Sequence, residues 1–139
     1  MASIIFPAFL QGVRDGAIHL ESSPLYCCLM SKDYRPDAGS RFLSDVIADE
    51  VKGPGYLTGG KALPNVRITF ACVESLPASW ESTAIETHGA IIYQRVTDAS
   101  NSPLICWQDF GRVKKTEEGE PVRIKWPDGI ILHVAYGSS

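Results

Sequence analysis

The glycines and lysine of Gly55-Tyr56-Leu57-Thr58-Gly59-Gly60-Lys61-Ala62 have the spacing of a phosphate-binding loop: glycine, four residues, then Gly-Lys. In such a loop backbone N–H groups at a helix N-terminus cradle the phosphates, and a Ser or Thr after the lysine holds a magnesium ion. Position 62 is alanine, so that hydroxyl is missing. The motif also needs a buried strand before it and a helix after it. Residues 48–54 are mostly polar, and Pro64-Asn65 follows at once, which disfavours a helix. The expectation is a glycine-rich connection with positive φ angles that leads into a strand and binds no nucleotide.

Cys106, His88 and Asp109 are the residue types of a cysteine hydrolase, provided that folding brings them together. Against this, Cys106 lies in the apolar run Leu104-Ile105-Cys106-Trp107, where a thiol stays protonated and inert. The 4 cysteines, Cys27, Cys28, Cys72 and Cys106, are an even number, as two disulfides or one zinc site would require. There is no C-x-x-C, and adjacent Cys27 and Cys28 in a strand would point to opposite faces. Free, buried thiols are expected. His19, His88 and His133 fall in separate segments without metal-binding spacing. Asp45 and Asp49 on one helical face either share a cation or, as is more usual, form a solvated face. No catalytic, cofactor-binding or metal-binding residue is assigned, and the chain is not expected to be an enzyme.

The elements that must position these groups change in character along the chain. At 139 residues the chain is expected to be one domain, residues 1–139, large enough to bury about two-thirds of the surface its unfolded form exposes. With 45% hydrophobic and 21% charged residues it has the composition of a globular chain. A net charge of −3 provides no basic field, so nucleic acid is not an expected partner. The N-terminus has no Lys or Arg before Arg14 and no small-residue cleavage site, unlike a signal peptide. No run reaches the ~18 apolar residues of a membrane span, and the chain is expected to be cytosolic when made.

Ile5, Phe9, Leu10 and Val13 recur at helical spacing, predicting a short helix over residues 6–14 with Pro7 in its first turn. Extended runs over 17–20 and 25–30 are split by the breaker Ser22-Ser23-Pro24, and a polar loop covers 31–40. A helical segment is expected near 41–51, with Phe42, Leu43, Val46 and Ile47 inward and Asp45, Asp49 and Glu50 outward. After Gly60 the period becomes that of strands. One strand is expected over 66–72. A hairpin pairs 90–96 with 104–110 around the turn-rich 97–103, and a second pairs 122–126 with 130–136 across Pro127-Asp128-Gly129. The fold class is therefore mainly β: an antiparallel β-sandwich, jelly-roll-like, with the two short helical segments. Trp107 and Trp126 are expected in the core. Trp80 is either core or interface, and Phe6, Phe9 and Leu10 form an apolar face able to meet the sheet or another subunit. Lys114 and Lys115 begin an exposed tip over 114–120. Phe6, Phe9, Leu10, Trp80, Lys114 and Lys115 are thus the candidate partner contacts.

The order of segments also resembles a family of small virion proteins of tailed bacteriophages. The resemblance is carried by Phe42-Leu43-Ser44-Asp45-Val46 and by Glu50-Val51-x-Gly53-x-Gly55-Tyr56-x-Thr58-Gly59-Gly60-Lys61-Ala62-Leu63-x-Asn65-Val66. It continues in Trp80 with Ser82-Thr83, in Ile91-Ile92-Tyr93, in Ser102-Pro103-Leu104-Ile105 and in Asp109-Phe110-Gly111. It ends with Ile124-x-Trp126-x-x-x-Gly129-Ile130. The resemblance spans about 9–132, and residues 53–65 are its most specific part. A longer 110–122 loop and the Cys27-Cys28 pair depart from the family pattern. The resemblance implies a capsid decoration or cement protein, a dimer or trimer bound to the major capsid protein at the capsid surface of the virion. Such a protein is made in the host bacterial cytoplasm and carries no cofactor. The alternatives are a tail or head-tail junction protein and, from a different class, a small cysteine-dependent hydrolase using Cys106.

Overall fold

The computed structural model describes residues 2–20, 24–68, 72–126 and 129–133. Its strands are β1 (Ala2–Ile5), β2 (Leu25–Met30), β3 (Lys61–Ala62), β4 (Arg67–Ile68) and β5 (Cys72–Glu74). They continue as β6 (Ala78–Thr83), β7 (Glu86–Gln94), β8 (Leu104–Lys115), β9 (Glu120–Ile124) and β10 (Ile130–His133). The single α-helix among the described residues, α1, spans Pro7–Arg14. With 45% strand and 12% helix the chain is mainly β, built of antiparallel sheets that do not close into a barrel.

Local chemistry sets most of these elements. Pro7 starts α1 with its φ already helical, and Gly16, at a φ of +77°, ends the turn that follows. The β7–β8 hairpin forms where alternating apolar runs flank a loop that closes on itself. Asn101 Oδ1 accepts the N–H groups of Thr97 and Asp98, both at 3.0 Å, and Ser102 Oγ donates to the Asp98 carbonyl at 2.7 Å.

The main sheet runs β1-β8-β7-β2-β3, antiparallel throughout. It is covered on both faces, so its middle strands are continuously apolar. Leu25, Cys27, Leu29, Ala90, Ile92 and Cys106 face one core, closed over by Trp80, Val122, Ile124, Val73, Trp126 and, from α1, Phe9. Cys28, Met30, Ile91, Tyr93, Leu104 and Trp107 face a second core, closed by Phe6, Tyr34, Leu43 and Val46. The register shifts between Ile92↔Cys106 and Tyr93↔Leu104, a bulge that turns Ile105 onto the same side as Cys106. Each fully buried Leu, Ile or Met in these cores contributes about 1.5–3 kcal/mol.

The helix over 6–14, the strand over 25–30 and the hairpin of 90–96 with 104–110 appear as the sequence predicts. Several expectations are overturned. Residues 17–20 form no strand; Ala17 and Ile18 donate to the Gly12 carbonyl at 2.8 and 3.0 Å, extending the end of α1. The 41–51 segment holds two 3-10 turns, Leu43–Asp45 and Ile47–Asp49, and Glu50 is buried, not outward. In place of one strand over 66–72 there are two, β4 and β5, which pair antiparallel with Arg67 opposite Glu74. Among the described residues the hairpin of 122–126 with 130–136 does not form: β9 pairs with β6, and β10 pairs with β5. β1 and β6 had no counterpart in the sequence reading; each gains a ladder partner distant in the chain, β8 and β9 respectively. Residues 22, 23, 69–71, 127, 128 and 134–136, on which parts of those expectations fell, lie outside the described residues.

Candidate functional site

The glycine-rich stretch is a tightly constrained loop. Gly55, Gly59 and Gly60 take φ angles of +82°, +95° and +75°, and the loop runs into the short strand β3, as its sequence implies. A Cβ on Gly55 would overlap the Ser82 carbonyl, and one on Gly60 the Cys27 carbonyl, so the backbone lies flat against β6 and β2. Between them Tyr56 turns inward. Its hydroxyl accepts the Leu29 N–H at 2.9 Å and donates to Glu50 Oε2. The Gly59 N–H donates to the same oxygen at 2.7 Å, and the Tyr93 hydroxyl donates to the Gly59 carbonyl at 2.6 Å.

A backbone amide of the kind that faces phosphate in a nucleotide loop is thus occupied by the chain's own carboxyl group. Lys61, in place of reaching an anion, donates to the Ser79 carbonyl and lies 5.5 Å from the Trp80 ring centre. Glu50 is 5% exposed, and its Oε1 is buried with no hydrogen-bond partner among the described residues. Burial raises the Glu50 pKa, against the opposing pull of the Tyr56 and Gly59 donors and of Lys52. Burial likewise pushes the Tyr56 hydroxyl far above its usual range. The arrangement can hold a proton and fix a loop. Sequence reasoning placed Glu50 on the surface; the available signal was its position at the head of the Glu50-Val51-x-Gly53 block, next to a loop whose amides need acceptors.

The hydrolase residues are not brought together. Cys106 faces the first core, where Gln108 Nε2 donates to its sulfur at 3.6 Å and burial raises its pKa to about 12. His88 packs on Trp107 with ring centres 5.1 Å apart, and its Nε2 lies 2.8 Å from the Tyr34 carbonyl, on the side of the second core. Asp109 Oδ1 accepts the Gly111 N–H at 2.7 Å. Cys27 and Cys28 point into opposite cores, and burial raises both thiols. Cys27, Cys28 and Cys106 are buried free thiols, and Cys72 is half-buried. Asp45 Oδ2 accepts the N–H groups of Phe42 and Arg41, which lowers its pKa; Asp49 is exposed. The side chain of His133 lies outside the described residues.

Of the candidate partner contacts, Phe6, Phe9 and Trp80 are core residues in the folded chain. Phe6 donates its N–H to the Ile105 carbonyl at 3.0 Å as the chain crosses from β1 to α1, so Phe6 enters one core and Phe9 the other. Trp80 stacks on Tyr56 at 5.7 Å between ring centres. Leu10 is 43% exposed, Lys115 is exposed and Lys114 sits half-buried over Phe110. A surface cleft of about 670 Å³ lies between α1, Arg41-Phe42 and the 94–103 loop, lined by Gln11, His19, Arg41 and Asn101 among others. Its size is that of a small-molecule site. Among the described residues no helix is long and apolar enough to cross a membrane. Comparison with protein families, curated proteins and solved structures found no match.

Proposed function

We propose that this chain is a structural protein of a tailed-bacteriophage particle, a capsid decoration or cement protein bound to the major capsid protein at the shell surface. The observation that carries the reading is the block over residues 50–66, within which residues 53–65 are the most specific part of the resemblance. In the fold that block is a loop locked onto β2 through Glu50 and Tyr56 and packed on Trp80 of β6, a scaffold role that suits a particle component. In this reading the sheets stack as an antiparallel β-sandwich of jelly-roll type, and the chain assembles as a dimer or trimer. It is made in the host cytoplasm and uses no cofactor, nucleic acid or membrane. A cement protein gains a modest energy at each contact and repeats the contact across a symmetric lattice. The hydrolase alternative has no support in the placement of Cys106 and His88 on opposite sides of the main sheet.

The test is the copy number of the chain per purified virion, by quantitative mass spectrometry against the major capsid protein. A ratio near that of the capsid subunit is expected. A ratio of a few copies per particle would move the chain to the tail or head-tail junction, and absence from virions would end the reading.

A further inference from the structure

β1 ends the main sheet, and its free side pairs with no other described strand. Its register fixes which backbone groups are left over. Ile5 stands opposite Cys106, and the next residue, Phe6, donates its N–H to the Ile105 carbonyl at 3.0 Å. Backbone direction alternates along a strand, so Phe6 and Ile4 turn their N–H and C=O groups to β8, while those of Ser3 and Ile5 point away from the sheet. Ile4 lies on the same face as Phe6. Phe6 is fully buried there, whereas Ile4 is 45% exposed and Ser3 beside it is exposed.

Such an edge is a template for another strand, and folded proteins blunt it with a charge, a proline or a very short strand. β3, at the other end of the same sheet, is two residues long and carries Lys61. β1 has four residues, Ala2-Ser3-Ile4-Ile5, with neither charge nor proline. Its outward groups are also symmetric about Ile4, with one outward residue before it and one after. A second copy of the strand, run antiparallel with a two-fold axis at Ile4, sets Ser3 against the partner's Ile5 and Ile5 against the partner's Ser3. Every outward N–H and C=O then meets its complement. The two Ile4 residues form the non-hydrogen-bonded pair on the axis, with Cα atoms about 4.5 Å apart and side chains covering one another. The neighbouring registers do less. An axis at Ser3 pairs only Ser3 within the strand, and an axis at Ile5 sets Ser3 against Pro7, which has no N–H.

We infer that the chain forms a two-fold dimer through β1, with Ile4 on the axis, joining two main sheets edge to edge. The inference goes beyond the decoration reading and needs no shell; of the dimer and trimer in that reading it selects the dimer. The contact is one short strand and one apolar pair, smaller than a tight interface, so reversible association with a Kd of about 0.1 mM is expected.

Sedimentation equilibrium of the full chain between about 10 µM and about 1 mM should show monomer and dimer in exchange. Ile4→Lys, which sets like charges opposite one another on the axis, should weaken association at least about tenfold, with a melting temperature near that of wild type. Leu57→Lys, an exposed leucine in the glycine-rich loop, should associate as wild type. Cysteine substitution reads the register. Under mild oxidation Ile4→Cys should form an intermolecular disulfide, located by peptide mapping, because the axial Cα atoms lie within disulfide range. Ser3→Cys, whose two copies are offset by two residues along the pair, should not. A chain that stays monomeric over the whole range overturns the inference and leaves the decoration reading to its own copy-number test. A dimer that survives Ile4→Lys, or that cross-links as readily through Ser3→Cys as through Ile4→Cys, overturns it as well.

Discussion

The Tyr56 hydroxyl donates its hydrogen bond to the buried carboxyl group of Glu50, a residue six positions earlier in the chain. That bond, with the Leu29 and Gly59 amides, joins the end of the second 3-10 turn, strand β2 and the glycine-rich loop at one point. The consequences are testable one group at a time.

The proton on Glu50 comes first. Its pKa is raised by burial, so the folded state holds the proton more tightly than the unfolded chain. The stabilisation linked to that proton is fully present below the unfolded pKa and is lost as pH rises through the folded one. Glu50→Gln removes the effect and leaves the opposite contributions of Asp45 and Asp98, both lowered, in place. The stability of wild type minus that of the variant, from denaturant titrations at a series of pH values, should fall as pH rises above the ordinary glutamate range. A flat difference would remove Glu50 as a titrating group of the fold.

Loss of the Tyr56 hydroxyl leaves the Leu29 amide without its acceptor and Glu50 with the Gly59 amide as its remaining donor. Tyr56→Phe should cost about 1–3 kcal/mol in urea unfolding. In a double-mutant cycle with Glu50→Gln the two changes should couple by at least about 0.5 kcal/mol. Strict additivity would mean that the two side chains do not act together.

Two glycines with nearly equal φ angles separate backbone strain from lack of space. Gly111, at +79°, has nothing within 4 Å of a built Cβ, whereas Gly60, at +75°, faces the Cys27 carbonyl. Gly111→Ala should cost about 1–2 kcal/mol from the left-handed backbone alone. Gly60→Ala should add a further 1–3 kcal/mol, roughly, for displacing β2. Thermal unfolding of the two variants gives the comparison, and equal losses would refute the close approach.

Thiol accessibility follows from the two-sided burial of the main sheet. A thiol-reactive probe should label Cys72 first in the native chain, and Cys27, Cys28 and Cys106 only on unfolding. Rapid native labelling of Cys106, located by peptide mapping, would contradict its place in the core.

The glycine-rich stretch and the two hairpins show where local pattern is sufficient. Positive φ angles at Gly55, Gly59 and Gly60, the helix begun by Pro7, and the opposed directions of Cys27 and Cys28 all follow from neighbours within a few residues. The β7–β8 hairpin joins them because its turn chemistry is contained in residues 97–102. The second hairpin, expected on the same grounds, does not form among the described residues, where β9 pairs with β6 and β10 with β5.

What the sequence by itself determined is therefore the mainly β character, the position of α1, the short-range turns and the apolar runs that must be buried. Tertiary structure alone decided which strands pair, that Phe6, Phe9 and Trp80 are core residues, and that Glu50 points inward. The physical reason is the range of the interactions. Periodicity and turn geometry act between near neighbours, whereas ladder partners compete across the whole chain, and a carboxyl group can be buried only where hydrogen-bond donors such as Tyr56 and Gly59 converge on it.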